Sequence, residues 1–393
     1  MSRHLVASLL LAAGCFDPDV KVMPDGAGPT PDAPPALDAP TDAPLPAGFR
    51  VVATGNYLAL APKIVDGRVY AVEYSSTAIT AQPLRIVSID VATGTATPLR
   101  ELPAGVTARD LQANATGLYW LEDTNAGGST STSLFYKPHG GTADALVTPT
   151  TTGAPSGKLD AYLRYGDSDE LYLLYTKGNS YELGTVPPTS SLGSSVGDGY
   201  SKIGDGSIPN TSSITFADIS STIAPVGNIV YAGGHATSNF GFVQRFNTDG
   251  TSHTVQGLAN TWVRSFWYGG VESYWLTEDG DQGHAMTLHR AKPIGAGGSD
   301  NTAVADLPLG SWDFGRLATG AFYVVSLDAG HTRLSRVDAP QGGTATTTLL
   351  GDLATCEGQT SQDCTTKIPS IAVDATASTV VFGATTAVYA YTP

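Results

Sequence analysis

The amino-acid sequence predicts an all-β fold assembled from repeated units, and three observations carry that expectation. Charged residues make up only 15% of the 393-residue chain while glycine alone supplies 45. Leu-rich amphipathic runs are scarce, so the composition favours short strands and turns over helices. A short apolar stretch built around an aromatic residue also recurs after small-residue turns, and most copies run on into a second strand-like stretch and a glycine-bearing turn.

The recurring stretches are "GRVYAVEY" (67–74), "TGLYWLED" (116–123), "DELYLLYT" (169–176), "GNIVYAGG" (227–234), "VESYWLTE" (271–278), "TGAFYVVS" (319–326) and "ASTVVFGA" (377–384). Their anchors, Tyr70, Tyr119, Tyr172, Tyr231, Tyr274, Tyr323 and Phe382, lie 43 to 59 residues apart. That period, averaging about 52, is close to the four-strand unit of a propeller. The following strand is read in "LRIVSIDVATG" (84–94), "SLFYKPHGG" (133–141), "FVQRFNTDG" (242–250), "TLHRAKPIGAGG" (287–298) and "TRLSRVDAPQGG" (332–343); the third copy, around "SYELGTVPP", is degenerate. Thr/Ala/Val/Leu runs such as "TATPLREL" and "TATTTLLGDL" suit an outermost strand, where β-branched residues lie well on a pleated surface. Residues ahead of each anchor, such as "SIAVDA" (370–375), supply the innermost strand. The expected architecture is a seven-bladed β-propeller over residues 49–393.

The chain ends support closure. The seventh copy finishes with "AVYAYTP" (387–393), one strand short, while "FRVVATG" (49–55) is a surplus strand ahead of the first copy. The N-terminal strand is therefore expected to complete the last blade, leaving few unprotected sheet edges.

Residues 1–14 read as a signal peptide: Arg3 and His4, an apolar run from Leu5 to Ala13, and small residues before Cys15. Nine apolar residues fall short of the roughly 20 that span a bilayer. Residues 15–48 carry nine prolines with the echo PDAP, LDAP, TDAP. Such a segment buries no core, and as extended polyproline II it forms a disordered tether reaching up to about 100 Å. Cys356 and Cys364, in "CEGQTSQDC", are placed to close a short disulfide loop in an oxidising compartment. No C-x-x-C redox pair is present.

The ending "LAAGC" resembles the lipobox of bacterial lipoproteins, which implies a lipid on Cys15 and anchoring to the membrane. Phe16 after the cysteine resembles lipoproteins sorted to the outer membrane or cell surface. "YWLED" and "YWLTED" resemble the YWTD repeats of receptor propellers. The leader together with "LSRVDAPQGG" is similar to bacterial exported propellers of the streptogramin lyase-like and TolB-like groups. The streptogramin lyase-like enzymes use a histidine and a metal-bound substrate at the central face, and no residue of this chain is matched to that histidine.

A net charge of −15 without a Lys/Arg cluster argues against nucleic acid as a partner. No G-x-S-x-G, H-E-x-x-H, Walker or dinucleotide motif is present. His4, His139, His235, His253, His284, His289 and His331 are scattered without zincin spacing. The loop "TEDGDQGH" sets Glu278, Asp279 and Asp281 as candidate calcium ligands in a turn that departs from EF-hand spacing. "TWVRSFWYGG" offers Trp262, Trp267 and Tyr268, with Trp275 close by, as aromatic faces for sugar rings or partner side chains, set against blade packing. The resulting expectation is a lipid-anchored envelope protein whose propeller binds a protein or glycan without catalysis and without a cofactor. The alternative is a propeller lyase or lactonase-type hydrolase with a metal in the central channel.

Overall fold

The computed structural model describes residues 44–393 except 77–81, 127–128, 142–144, 148–157, 165–170, 178–179, 187–200, 208–213, 217–222, 227–228, 237–239, 248–252, 260, 269–272, 280–284, 292–300, 318, 329, 339–344, 355–368, 375–377 and 385. Cys15, Cys356, Cys364, Asp281 and the leader therefore lie outside the described residues. All that is described belongs to one unit, Asp42–Pro393, and every described element is a β-strand.

Strand β1 (Phe49–Thr54) comes first. The next sheet holds β2 (Tyr57–Leu58), β3 (Arg68–Tyr74), β4 (Pro83–Asp90) and β5 (Ala96–Glu101). It is followed by β6 (Val106–Ala113), β7 (Gly117–Ala126), β8 (Ser129–Pro138) and β9 (Ala145–Val147), and then by β10 (Lys158–Arg164), β11 (Leu171–Lys177), β12 (Ser180–Val186) and β13 (Ser201–Ser207). A five-stranded sheet contains β14 (Ile214–Phe216), β15 (Ile223–Val226), β16 (Ile229–Ala236), β17 (Phe240–Asn247) and β18 (His253–Ala259). Four-stranded order returns with β19 (Thr261–Tyr268), β20 (Ser273–Asp279), β21 (Ala285–Ala291) and β22 (Asn301–Leu307), then β23 (Ser311–Arg316), β24 (Phe322–Asp328), β25 (His331–Asp338) and β26 (Thr346–Ala354). The last sheet is β27 (Ile371–Val373), β28 (Val380–Ala384), β29 (Ala387–Tyr391) and β1.

This is a β-propeller. Innermost strands of successive sheets lie side by side, β6 against β10, β10 against β15, β15 against β19, β19 against β23 and β23 against β27. The circuit closes through the segment after β2, where Val373 N–H donates to Pro62 O at 3.1 Å and Ile64 N–H to Val373 O at 3.0 Å. Strand β1 pairs with β29, Phe49 facing Tyr391 and Thr54 facing Ala387, as the chain ends predict. The Phe49 ring meets Phe382 edge-on at 6.1 Å and Tyr391 at 4.9 Å, fastening the first strand to the last sheet.

The expectation of seven like copies needs correcting. Six sheets are regular four-stranded blades, and the sheet around Tyr231 is not. Its register gives the reason. Ile214–Phe216 faces Ala236–Gly234, and Ile223–Val226 faces Ala232–Ile229, so two short strands share the innermost place.

The recurring anchors sit on the second strand of each sheet, and Tyr70, Tyr119, Tyr172, Tyr274, Tyr323 and Phe382 are buried. Second strands are flanked by neighbouring sheets on both faces, so they read as continuous apolar runs such as Leu171–Tyr175 and Phe322–Val325, all buried. Outer strands lose that cover, and Thr346 to Leu349 of β26 are exposed. Burial of Tyr119, Trp120 and Trp275 assigns the "YW" pairs to the core.

Close approach between blades demands glycine at particular places. A Cβ on Gly315 would stand 2.6 Å from Cγ1 of Val373 on the adjacent inner strand. Replacing Gly315 with Val forces β23 away from β27, and overpacking of this kind costs about 1–3 kcal/mol. A urea unfolding midpoint lowered by that free energy divided by the slope, with the slope itself unchanged, is the expected result.

Candidate functional site

In an antiparallel blade the start of the first strand, the end of the second and the start of the third lie at one end. This end gathers most of the described charged side chains of the inner strands. In the first sheet Arg85 Nε donates to Glu73 Oε2 at 2.5 Å. In the second, Arg109 Nε reaches Asp123 Oδ2 at 2.8 Å and its Nη1 reaches Asp110 Oδ2 at 2.6 Å, while Thr132 Oγ1 donates to Asp123 at 2.5 Å. Farther round, Arg333 Nε and His331 Nδ1 meet Asp352 at 2.9 and 2.7 Å.

Irregularities in the inner strands aim these groups. Pairing skips a residue between Val263 and Ser265 in β19 and between Ser311 and Asp313 in β23. Each bulge inserts one extra residue and shifts the in–out alternation of the strand beyond it. Arg264 and Trp312, the skipped residues, come together at the blade joint, while Ser265 and Asp313 meet in the interior. In β6 the skip spans Asp110, whose φ of 52° places a non-glycine residue in the left-handed region, as does Ala59 after β2. Leu58 faces Val72 and Arg109 faces Leu121, so the two strained residues follow matching register positions.

Arg264 organises the most distinctive cluster. Its guanidinium carbon lies 4.7 Å from the Trp262 ring and 5.0 Å from the Trp312 ring, and its Nε and Nη2 meet Glu278 Oε2 at 2.6 and 2.5 Å. Indole faces attract the cation, and the carboxylate balances its charge. Trp262, Arg264 and Trp312 are each partly buried, so the row forms a seam between two blades that still reaches solvent.

Asp313 is the group opposite in character. It is 2% exposed, and among the described residues no cation is paired with it. Its Oδ1 accepts from Ser265 Oγ at 2.8 Å and from its neighbour Phe314 N–H at 2.9 Å; its Oδ2 accepts from Ile371 N–H at 3.0 Å. One carboxylate thus joins the inner strands β19, β23 and β27. Burial pushes its pKa up to about 6, against the opposing pull of the Ile371, Ser265 and Phe314 hydrogen bonds.

The expected site residues separate. Glu278 is buried and its Oε2 is paired with Arg264, while the remainder of the candidate calcium loop, including Asp281, lies outside the described residues. Asp279 ends β20 beside it. Among the described residues no three His, Cys, Asp or Glu side chains gather as a metal site. The aromatic cluster is also divided: Trp262 faces Glu278, whereas Trp267 and Tyr268 face Tyr274 and Ser273 at the opposite end of β19. Five residues of extended strand put about 16 Å between the two groups. Side chains of Trp267 and Tyr268 lie outside the described residues. His289 stacks on Trp275 at 6.1 Å and bonds Thr277 Oγ1 at 2.8 Å; His139 bonds Tyr70 Oη and Asn114 O. Trp312, Ser265 and Asp313 were not singled out by sequence, because only register reveals which inner-strand residues turn toward one another.

No family model matches the chain, and no curated protein matches it. Solved structures do. An oligogalacturonate lyase in complex with manganese matches with a TM-score of 0.59 at 12% identity, over 89% of this chain and 95% of that one. The oligogalacturonate lyase of Vibrio parahaemolyticus matches at 0.55 and 10% identity, over 87% and 91%. A chain of a mitotic checkpoint complex matches at 0.51 and 10% identity, over 95% and 100%. At these identities the likeness establishes the β-propeller fold and leaves activity open.

Ionisation of Asp313 is disfavoured by folding, which fixes the sign of its pH effect. The folded state holds the proton more tightly, so this group's contribution falls as pH rises from about 4 to about 6 and is constant above. The span from 3.8 to about 6 corresponds to ~3 kcal/mol. In urea unfolding, the stability of the wild type relative to Asp313→Asn should decline over that window and then level off.

Proposed function

We propose that this chain is an exported lipoprotein whose propeller, with the five-stranded sheet serving as a seventh blade, is a non-catalytic binding module held off the membrane by its proline-rich tether. The observation that carries the binding reading is the Trp262–Arg264–Trp312 row at a joint between inner strands. Indole rings fixed in orientation by a shared cation offer stacking surfaces at little entropic cost on binding. Glu278 offsets the Arg264 charge, so the row suits ring faces and apolar edges, such as a glycan or the side chains of a protein partner, over a free anion.

An enzyme reading draws on the likeness to oligogalacturonate lyases, which at 10 to 12% identity extends to the fold alone. The binder reading rests on the Trp262–Arg264–Trp312 row, in which Arg264 is paired with Glu278.

Two outcomes test the reading. Cys15→Ser should release the protein from membranes into the soluble fraction, and unchanged retention would sink the lipid anchor. On glycan and peptide arrays, Trp312→Ala should weaken the wild-type binder about tenfold, equivalent to ~1.4 kcal/mol. Equal signals from both proteins would remove the row from the binding site, and turnover of an array glycan by the wild type would favour the enzyme.

A further inference from the structure

We propose that Asp313 is a proton-operated joint: its protonation state, shared among the inner strands β19, β23 and β27, sets the geometry of the Arg264–Trp312 stack one residue away. The geometry places the two pairs on the same two bulges. Arg264 precedes Ser265, Trp312 precedes Asp313, and the register skips fall at Arg264 and Trp312. A change in the buried Ser265–Asp313 contact is therefore transmitted through one peptide on each strand.

The hydrogen count shows why the contact responds. With Asp313 ionised, Ser265 Oγ–H, Phe314 N–H and Ile371 N–H all donate to it, and the carboxylate can only accept. A buried carboxylic O–H needs an acceptor, and of the three groups bonded to Asp313 the Ile371 and Phe314 amides can only donate whereas Ser265 Oγ can accept. On Oδ1 the proton points at Ser265 Oγ, which must become the acceptor and turn its own hydrogen elsewhere. That reversal acts on the β19 bulge that carries Arg264. The raised affinity of Asp313 for a proton, caused by burial, brings the event to about pH 6.

The surrounding groups leave Asp313 the titrating member of this joint. From β19 come Ser265 and, beside it, Arg264 with its partner Glu278. From β27 the Ile371 amide faces it. Strand β24 places Val325 opposite it. On β23 itself Arg316 is directed to the Tyr274 and Phe322 rings. His289 on β21, stacked on Trp275, belongs to a residue type that ordinarily titrates in the same range and serves as the control. The joint stands whether or not the stack binds a ligand.

Tryptophan fluorescence of the full chain, titrated from pH 4 to 8, tests the joint. The wild type should show a transition near pH 6 that is reduced in Trp312→Phe, disappears in Asp313→Asn and persists in His289→Gln. Ser265→Ala removes a hydrogen bond that favours the ionised form, so the midpoint should move upward. A transition that persists in Asp313→Asn, or vanishes only in His289→Gln, overturns the proposal. Should Asp313→Asn fail to fold, Ser265→Ala decides: an upward midpoint supports the joint and an unmoved one overturns it.

Discussion

The ring depends on what crosses between inner strands. Most of each blade's backbone pairing lies within its own sheet, and a described backbone contact between blades is that of the Pro62–Ile64 segment with Val373. Apolar packing fills most of the seam, but it is non-directional and does not fix how far one blade slides past the next. Directional contacts do: Asp313 holds β19, β23 and β27 together, and Leu60 N–H donates to Ser370 Oγ at 2.8 Å between the last sheet and the first. Glycines at the closest approaches, Gly315 beside Val373 and Gly383 beside the Tyr57 carbonyl, let these bonds form at short range.

Repetition with substitution explains how one scaffold carries different chemistry at matching positions. In the second sheet Trp120 stacks on Phe135 at 5.7 Å, its indole N–H donates to Glu122 at 2.9 Å, and Arg100 from the preceding sheet closes on Glu122 at 3.0 Å. The matching places around Trp275 hold His289 and Thr277, bonded to one another. The stacking geometry is kept while a charged cross-blade tie becomes a neutral pair. Likewise an arginine of the inner strand meets a carboxylate of the next strand twice, as Arg109 with Asp123 and Arg264 with Glu278. The Arg264 pair is flanked by two indoles, and this marks it out as a candidate surface for recognition.

Much of the fold was legible in the sequence because its signals are local. The aromatic anchors mark the second strands, since a strand covered on both faces must be apolar throughout. The surplus strand at Phe49 and the missing strand after Tyr391 predicted the pairing of β1 with β29. The divided inner strand at Ile214–Phe216 and Ile223–Val226 was not legible, because two short apolar runs look alike whether they form one strand or two. The candidate site was legible only in part. Trp262 and Glu278 were singled out as members of an aromatic cluster and a calcium loop, and in the structure both side chains also contact Arg264.

What the sequence determined by itself is the all-β class, the repeat, the closing strand and the expectation of an exported, tethered chain, all of which rest on composition and on patterns within a few residues. What the tertiary structure alone decided is which inner-strand side chains meet. Arg264 and Trp312 are 48 positions apart, as are Ser265 and Asp313. A single-residue bulge reverses which face of the strand a side chain occupies, and no local pattern encodes where two separate bulges come into contact across neighbouring blades.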